Sequence, residues 1–453
     1  MRKIKSTIWD RMHYYFGDFN DHSMRAVIVF DGKIDTAVLT RALNMACELV
    51  PIVKSRFVVG MFSAYWKVIR DFDAKDYLTI SETDDPEGLS MRFVTGNIEE
   101  KKGAQLKVLV ARTSNFDTLC VMCNHMCFDG RGFKDFLELI ATAYNGLLDN
   151  KDFRIEGYTH GTGNRAFSQL YKNFSAKVRR KLAFRVKYGL KNDEKVGFPY
   201  EACEAVGGKA DGKVPSLRDN SISVPSSSAV RKEIVRYKMS DERFAKLRAS
   251  AKKLGVTFND VLTASFGRAI LDLNPDSDLP AEVDNVVDLR RYIKSGNTDG
   301  FTNMVSKAGT VFPRATAGEP FAETAKWVSA HMNKLKDDYM GMDAMGLLRF
   351  AFAVLPGPSL QRFVFRHVYT NPLTMLSNIG VFDEKAIAFR GLNVTDFLAT
   401  GAIKYAPYFL QSLHTFAGHL SFASTVVGTE KDIESARKIY ELMEKYFSEL
   451  IQN

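Results

Sequence analysis

A chain of 453 residues exceeds what one hydrophobic core ordinarily supports, so two domains are expected. Hydrophobic residues at 45% and charged residues at 25% are ordinary for a soluble globular protein, and the absence of any uncharged apolar run of about 18 residues excludes a transmembrane helix. The net charge of +9 favours anionic partners: a phosphorylated cofactor, an acidic carrier protein or a membrane surface.

The N-terminus, MRKIKSTIWDRMHYYF, is basic but lacks the apolar core of a signal peptide. Five cysteines (Cys47, Cys120, Cys123, Cys127 and Cys203), an odd number without a secretory leader, predict reduced thiols and a cytoplasmic location. Met24–Phe30 reads as a strand closed by the turn Asp31-Gly32. Asp35–Val50 is an amphipathic helix with Asp35 as N-cap and Pro51 closing it. Lys54–Val59 and Ser63–Ile69 alternate like paired strands, and Gln105–Arg112 and Thr118–Asn124 form a second pair.

The stretch Asp117–Gly132, DTLCVMCNHMCFDGRG, carries the chemistry. An apolar strand ends at Asn124-His125, Asp129-Gly130 follows, and a helical pattern begins at once. Polar groups at the end of a buried strand face a cleft while the scaffold behind them stays rigid. His125 has an unperturbed pKa suited to taking and returning a proton near neutrality. Gly130 allows a tight turn and the close approach of a backbone N–H to a ligand. Asp129 either lies under the imidazole or makes a structural ion pair, and the spacing alone does not choose. A functional His125 and a semi-buried structural one are equally compatible with this string.

Gly163–Lys191 is a basic, aromatic-rich helical pattern containing Lys172, Lys177, Arg179, Arg180 and Lys181. It reads as a solvated basic face or as a docking surface for an anionic partner, and no nucleic-acid reader motif accompanies it. Residues 192–230, rich in Gly, Ser, Asp and Lys, are the linker candidate between halves at 1–191 and 231–453. The second half restarts with a strand at Lys232–Met239, a helix at Ser240–Leu254 and another capped by Thr257 with Asp260 at N3. Val283–Leu289 is a strand ending in Arg290-Arg291, Thr302–Val311 a strand, and Pro320–Leu335 a helix. Ala344–Tyr369, the most apolar region, is broken by Arg349, Pro356, Pro358 and Arg362. A buried helix pair is expected there, with a membrane-surface segment as the alternative. Leu373–Ile379 is a strand, short strands follow between Ala388 and Val427, and a helix at Glu430–Leu450 ends the chain. Each half is thus an α/β sandwich.

With these elements in order, the chain resembles the CoA-dependent acyltransferases that include chloramphenicol acetyltransferase, the condensation domains of nonribosomal peptide synthetases, alcohol O-acetyltransferases and polyketide-associated acyltransferases. The family motif is His-His-x-x-x-Asp-Gly, and here Asn124-His125-Met126-Cys127-Phe128-Asp129-Gly130 stands in its place. FDGKIDTAVLTRALNMACELVPIVKSRF, GVTFNDVLTASFGRAI, VVDLRRYI and LSNIG resemble further family segments in the right order, so the likeness spans nearly the whole chain. It implies an α+β fold of two chloramphenicol-acetyltransferase-like sandwich halves, with the active site in a tunnel between them. It implies His125 as general base, Asp129 in a salt bridge to Arg290 (Arg291 as fallback), and Gly130 as an oxyanion donor. Asn124 departs from the usual first histidine and counts as support at the site, and Ser377 and Asn378 are candidate substrate contacts.

The implied activity is transfer of an acyl group from acyl-CoA, a co-substrate and not a bound cofactor, to an alcohol or amine, with no metal and no covalent enzyme intermediate. Two alternatives stand beside it: a freestanding condensation enzyme using a carrier-protein donor docked at 172–191, and a catalytically silent binding relative. No nucleic-acid partner is expected; contact with a membrane surface is a further partner reading. A separate rival comes from the alternation Cys123-His125-Cys127, which in a continuing strand shares one face and suggests a thiolate nucleophile or a metal site. His414 and His419 read as structural or surface residues.

Overall fold

The computed structural model describes residues 2–186, 189–201 and 230–452. The first half contains β1 (Lys3–Lys5), α1 (Ile8–Phe16), β2 (Ser23–Phe30), α2 (Thr36–Leu49), β3 (Ser55–Val59), β4 (Ala64–Val68), β5 (Leu78–Glu82), α3 (Pro86–Val94), β6 (Leu106–Arg112), β7 (Asp117–Asn124), α4 (Gly130–Asp149), α5 (Ser168–Tyr171) and α6 (Ala176–Ala183). The second contains β8 (Arg231–Met239), α7 (Asp241–Leu254), α8 (Phe258–Asp272), β9 (Ala281–Asp288), β10 (Val305–Phe312), α9 (Phe321–Asp337), α10 (Met345–Val354), α11 (Gly357–Val368), β11 (Thr374–Phe382), α12 (Glu384–Ile387), β12 (Val394–Thr400), β13 (Phe409–Phe416), β14 (His419–Gly428) and α13 (Glu430–Gln452).

Local chemistry sets many of these boundaries. Asp35 accepts from the N–H groups of Ala37 and Val38 to start α2, and Thr257 and Asp260 form a reciprocal capping box on α8. Gly255, at φ +78°, ends α7 in the left-handed region. The N-terminal stretch folds as β1 and α1, the helix being started by a capping box between Thr7 and Asp10.

Among the described residues the strands form three sheets, ordered β1-β4-β3, β12-β2-β7-β6-β5 and β10-β9-β11-β13-β14-β8. In the middle sheet β7 is central and buried along its whole length, which is why its sequence reads as a continuous apolar run. One face of that sheet packs on α2 and α4. The opposite face carries α3 and meets Ile234 and Ala423 of the six-stranded sheet. That larger sheet is in turn covered by α7, α8, α9 and α13. The halves interlock: β12 of the second half pairs antiparallel with β2 of the first, and the sequence places no such pairing. The fold is an α+β arrangement of two sandwich halves.

The structure modifies two readings. Gly163–Lys191 is not one helix but the short α5 and α6, separated at the Ser175 cap. Ala344–Tyr369 is a helix pair, yet only one face of each helix is buried; Phe350, Phe363 and Val368 are exposed, because α1 covers the inner face and no element among the described residues covers the outer one. Of the linker candidate, residues 202–229 lie outside the described residues. Val196, Phe198 and Tyr200 pack in the second-half core, and Val196 bridges to Ala281.

Candidate active site

β7 stops at Asn124, and the chain reverses there. Asn124 Oδ1 accepts from the Met126 N–H at 2.9 Å, an Asx turn, while its carbonyl accepts from the Cys127 N–H at 3.0 Å. Asn124 Nδ2 donates to Gln105 Oε1 at 2.8 Å, which ties the turn to the start of β6. The residue that stands where the family has its first histidine is therefore fully buried and holds the turn from beneath.

His125 projects from this turn, half-buried, at the seam between the halves. Its Nδ1 lies 3.0 Å from Asn303 Oδ1, and Asn303 Nδ2 donates to the His125 carbonyl at 2.8 Å. With the amide nitrogen so occupied, the amide oxygen faces the ring, Nδ1 carries the proton, and Nε2 is left as the basic nitrogen. The His13 ring of α1 stacks on His125 with centroids 4.6 Å apart and planes 23° from parallel. Burial holds the His125 pKa below the ordinary imidazole value, and Lys404 adds to this. The Asn303 hydrogen bond and the charge of Asp129 oppose the shift. Burial holds His13 lower still, helped by His125, His22 and Lys404. Both imidazoles are neutral near pH 7, the form that accepts a proton.

Asp129 does not touch the imidazole. It caps α4 through Gly132 N–H (3.2 Å), accepts Met304 N–H at 2.8 Å, and takes both guanidinium nitrogens of Arg290, at 2.7 and 3.1 Å. Burial raises its pKa, but the guanidinium and these donors outweigh burial and hold it below the ordinary carboxylate value. Arg290 also donates to the carbonyl of Thr302 at 3.2 Å, whereas Arg291 is exposed over the ring of Tyr292. Of the two arginines, Arg290 pairs with Asp129.

Gly130 opens α4 beneath β11, where an added Cβ would lie 3.3 Å from Ile379 Cγ2. At Gly132 a Cβ would sit 2.6 Å from that of Phe128, so glycine is what lets the motif loop close onto the helix. On β11, Ser377 is half-buried. Asn378 is exposed, donating to Asn259 Oδ1 at 2.8 Å and accepting Gly380 N–H at 2.9 Å beside a bulge.

A second buried ion pair positions α1. Arg165 spans Asp10 with bonds of 2.8 and 2.9 Å and also donates to the carbonyls of Cys127 and Phe301. Asp10 further accepts from Trp66 Nε1 at 2.8 Å. Lys404 completes the surroundings: it is 7% exposed, and its ammonium has no hydrogen bond or ion pair among the described residues. Burial, and then Lys307, pull its pKa down to about 8. The sequence signalled none of His13, Asn303 and Lys404, because each meets His125 only through the fold.

The thiol rival finds no support. Cys123 and Cys127 are fully buried, burial pushes both thiols up well above their ordinary value, and β7 ends before His125, so the three residues share no strand face. Among the described residues no His, Cys, Asp and Glu cluster is arranged to hold a metal. His414 is buried in β13 against Phe397, with its pKa pulled down to about 4 by burial, and His419 pairs with Asp241.

No family model and no curated protein matches the sequence. Solved structures match over nearly all of it. The polyketide synthase associated protein 5 of Mycobacterium tuberculosis superposes with a TM-score of 0.63 at 14% identity, covering 98% of this chain and 96% of that one. The chain has the fold of the CoA-dependent acyltransferase superfamily. The first condensation domain of the CDA synthetase matches this acyltransferase fold with a TM-score of 0.64 at 16% identity over 98% and 96% of the chains. TRI101 of F. sporotrichioides, solved with coenzyme A and T-2, matches at 0.60 and 14% over 95% and 96%. Within this fold the Asn124–Gly130 turn lies where the halves meet, with Asn303, Met304 and Arg290 supplied from the second half. No helix among the described residues is long and apolar enough to cross a membrane.

Proposed function

We propose that the protein is an acyltransferase that moves an acyl group from a thioester, acyl-CoA, to a hydroxyl or amine acceptor. His125 Nε2 removes the acceptor proton as the acceptor oxygen or nitrogen bonds to the thioester carbonyl carbon. The carbonyl oxygen becomes an oxyanion, for which the N–H of Gly130 at the start of α4 is the assigned donor. The C–S bond then breaks, and the proton on Nε2 passes to the departing thiolate. Both substrates are held together, so no covalent enzyme intermediate is required. The observation that carries the reading is the half-buried His125, with Nδ1 facing Asn303 Oδ1, Nε2 without a hydrogen bond among the described residues, and burial holding its pKa below the ordinary imidazole value. Asp129 and Arg290 support the site structurally, and Ser377 contacts substrate from β11.

Thiol release from a panel of acyl-CoAs with pooled alcohols and amines tests this, wild type against His125→Ala. Acceptor-dependent release that falls by about 10²–10⁴-fold in the variant is expected for loss of a general base. Release that survives the substitution would sink the assignment. A second reading, a carrier-bound donor docked at the exposed basic residues Lys172, Lys177, Arg179 and Arg180, predicts steep salt sensitivity that charge reversal at Arg179 and Arg180 removes.

A further inference from the structure

Among the described residues, large apolar side chains are exposed mainly in one place. Leu347, Phe350 and Val354 on α10 recur at helical spacing on the outer face, as do Leu360, Phe363 and Val368 on α11. The tip of the β3–β4 hairpin adds Met61 and Phe62, 78% and 80% exposed. Two contacts tie these elements to one another. Gly357, at φ +75°, packs so closely on the hairpin that a Cβ would lie 2.2 Å from the Met61 carbonyl oxygen. At the other end Phe184, just beyond α6, meets the ring of Phe350 at 6.2 Å.

The inner faces of the same helices are already occupied. Phe352 and Phe365 pack on Tyr15 of α1, and Gln361 Oε1 accepts from Tyr15 Oη at 3.1 Å and Arg11 Nη1 at 3.0 Å. The exposed side is therefore a second apolar face on a firmly anchored hairpin, not a core face caught open.

Charge says what covers it. Residues 344–382 contain no Asp or Glu, and the arginines there are Arg349, Arg362 and Arg366. α6 lies against α10 and presents Lys177, Arg179 and Arg180, which have no ion pair among the described residues. Arg362 and Arg366 pair with Asp18, so the unpaired positive charge of the rim comes from Lys177, Arg179 and Arg180. An aromatic and aliphatic surface with no acidic residue on either helix and this basic flank has the composition of an interfacial anchor on an acidic lipid surface. We propose that the α10–α11 face and the Met61-Phe62 tip dock on a membrane bearing anionic headgroups. The basic segment at 172–185 then serves as the electrostatic rim of that contact. α11 packs on α1, whose His13 stacks on His125, so the docked face lies one helix from the proposed catalytic base.

Co-sedimentation of the full chain with vesicles reads this directly, whether or not any acyl donor is turned over. Wild type should partition onto phosphatidylcholine vesicles containing phosphatidylglycerol, weakly onto phosphatidylcholine alone, and less as salt rises. Phe350→Ser/Phe363→Ser and Met61→Ser/Phe62→Ser should each lower partitioning by about tenfold or more, with unchanged melting temperature because the side chains face solvent. Arg179→Glu/Arg180→Glu should remove the preference for phosphatidylglycerol. Wild type that ignores both vesicles, or binding that none of the variants changes, overturns the proposal. A wild-type dimer in solution that the serine variants convert to monomer also overturns it, assigning the face to a second copy of the chain.

Discussion

Asp129→Ala is the most informative single substitution for stability. The carboxylate is 1% exposed, its partner Arg290 5%, and it accepts four hydrogen bonds. Deleting one member of such a pair strands the other charge, which costs about 3–5 kcal/mol, and loss of the α4 cap adds about 1 kcal/mol. Arg290 keeps its 3.1 Å contact to the half-exposed Asp288, which returns part of this. The net loss expected in denaturant unfolding is about 4 kcal/mol. Asp129→Asn keeps the cap and should lose less. Combining it with Arg290→Met should show coupling of about 1–3 kcal/mol relative to the sum of the single changes. Asp129 has a folded pKa below its unfolded value, so its contribution is complete above about pH 4 and fades as pH falls through the folded pKa. A loss below about 1 kcal/mol at pH 7, or no coupling, would refute the view that this pair fastens the halves.

Two other side chains give sharp expectations. Lys404, with its pKa pulled from 10.5 to about 8, favours the neutral amine in the fold, so wild-type stability falls as pH drops from 10.5 towards 8 and is level below. Lys404→Met should therefore stabilise at pH 7 by on the order of 3 kcal/mol, with the gain vanishing near pH 10; a destabilised variant at pH 7 would contradict this. Cys127→Ala should keep acceptor-dependent thiol release and lose about 1 kcal/mol of stability from the small cavity, and loss of release would return the chemistry to the thiol.

The helices with chemical start and stop signals were legible in the sequence: Asp35, Thr257 with Asp260, and Gly255 act within a turn of themselves. The same signal stands at Thr7 and Asp10, where Thr-x-x-Asp starts α1 inside an otherwise basic N-terminal stretch. What escaped is set by the fold at long range. Asn303 is 178 residues from His125, β12 is a short strand whose sequence names no partner yet completes the sheet of the other half, and periodicity in Ala344–Tyr369 does not say which side is covered. The role of Asp129, open between imidazole support and ion pairing, was decided by where Arg290 arrives.

The short segment Thr302–Met304 joins these facts into one mechanism. The Thr302 carbonyl accepts from Arg290, Asn303 brackets His125, and the Met304 N–H donates to Asp129. The structural ion pair and the proposed catalytic base thus share three consecutive residues, so disturbing the first is expected to move the second without touching it. Asn303→Asp separates the two effects. A carboxylate facing Nδ1–H stabilises the imidazolium, so the His125 pKa rises from its depressed value, and the acid limb of kcat/KM should move to higher pH by about one unit or more. Asn303→Leu, which loses the same donor to the His125 carbonyl without adding charge, should lower kcat by about tenfold and leave the limb at or below its wild-type position. Asp129→Asn should reduce kcat through the displaced Asn303 and, by removing a charge that raises the His125 pKa, move the limb slightly to lower pH. An acid limb that Asn303→Asp fails to move would mean that the titrating base is not His125.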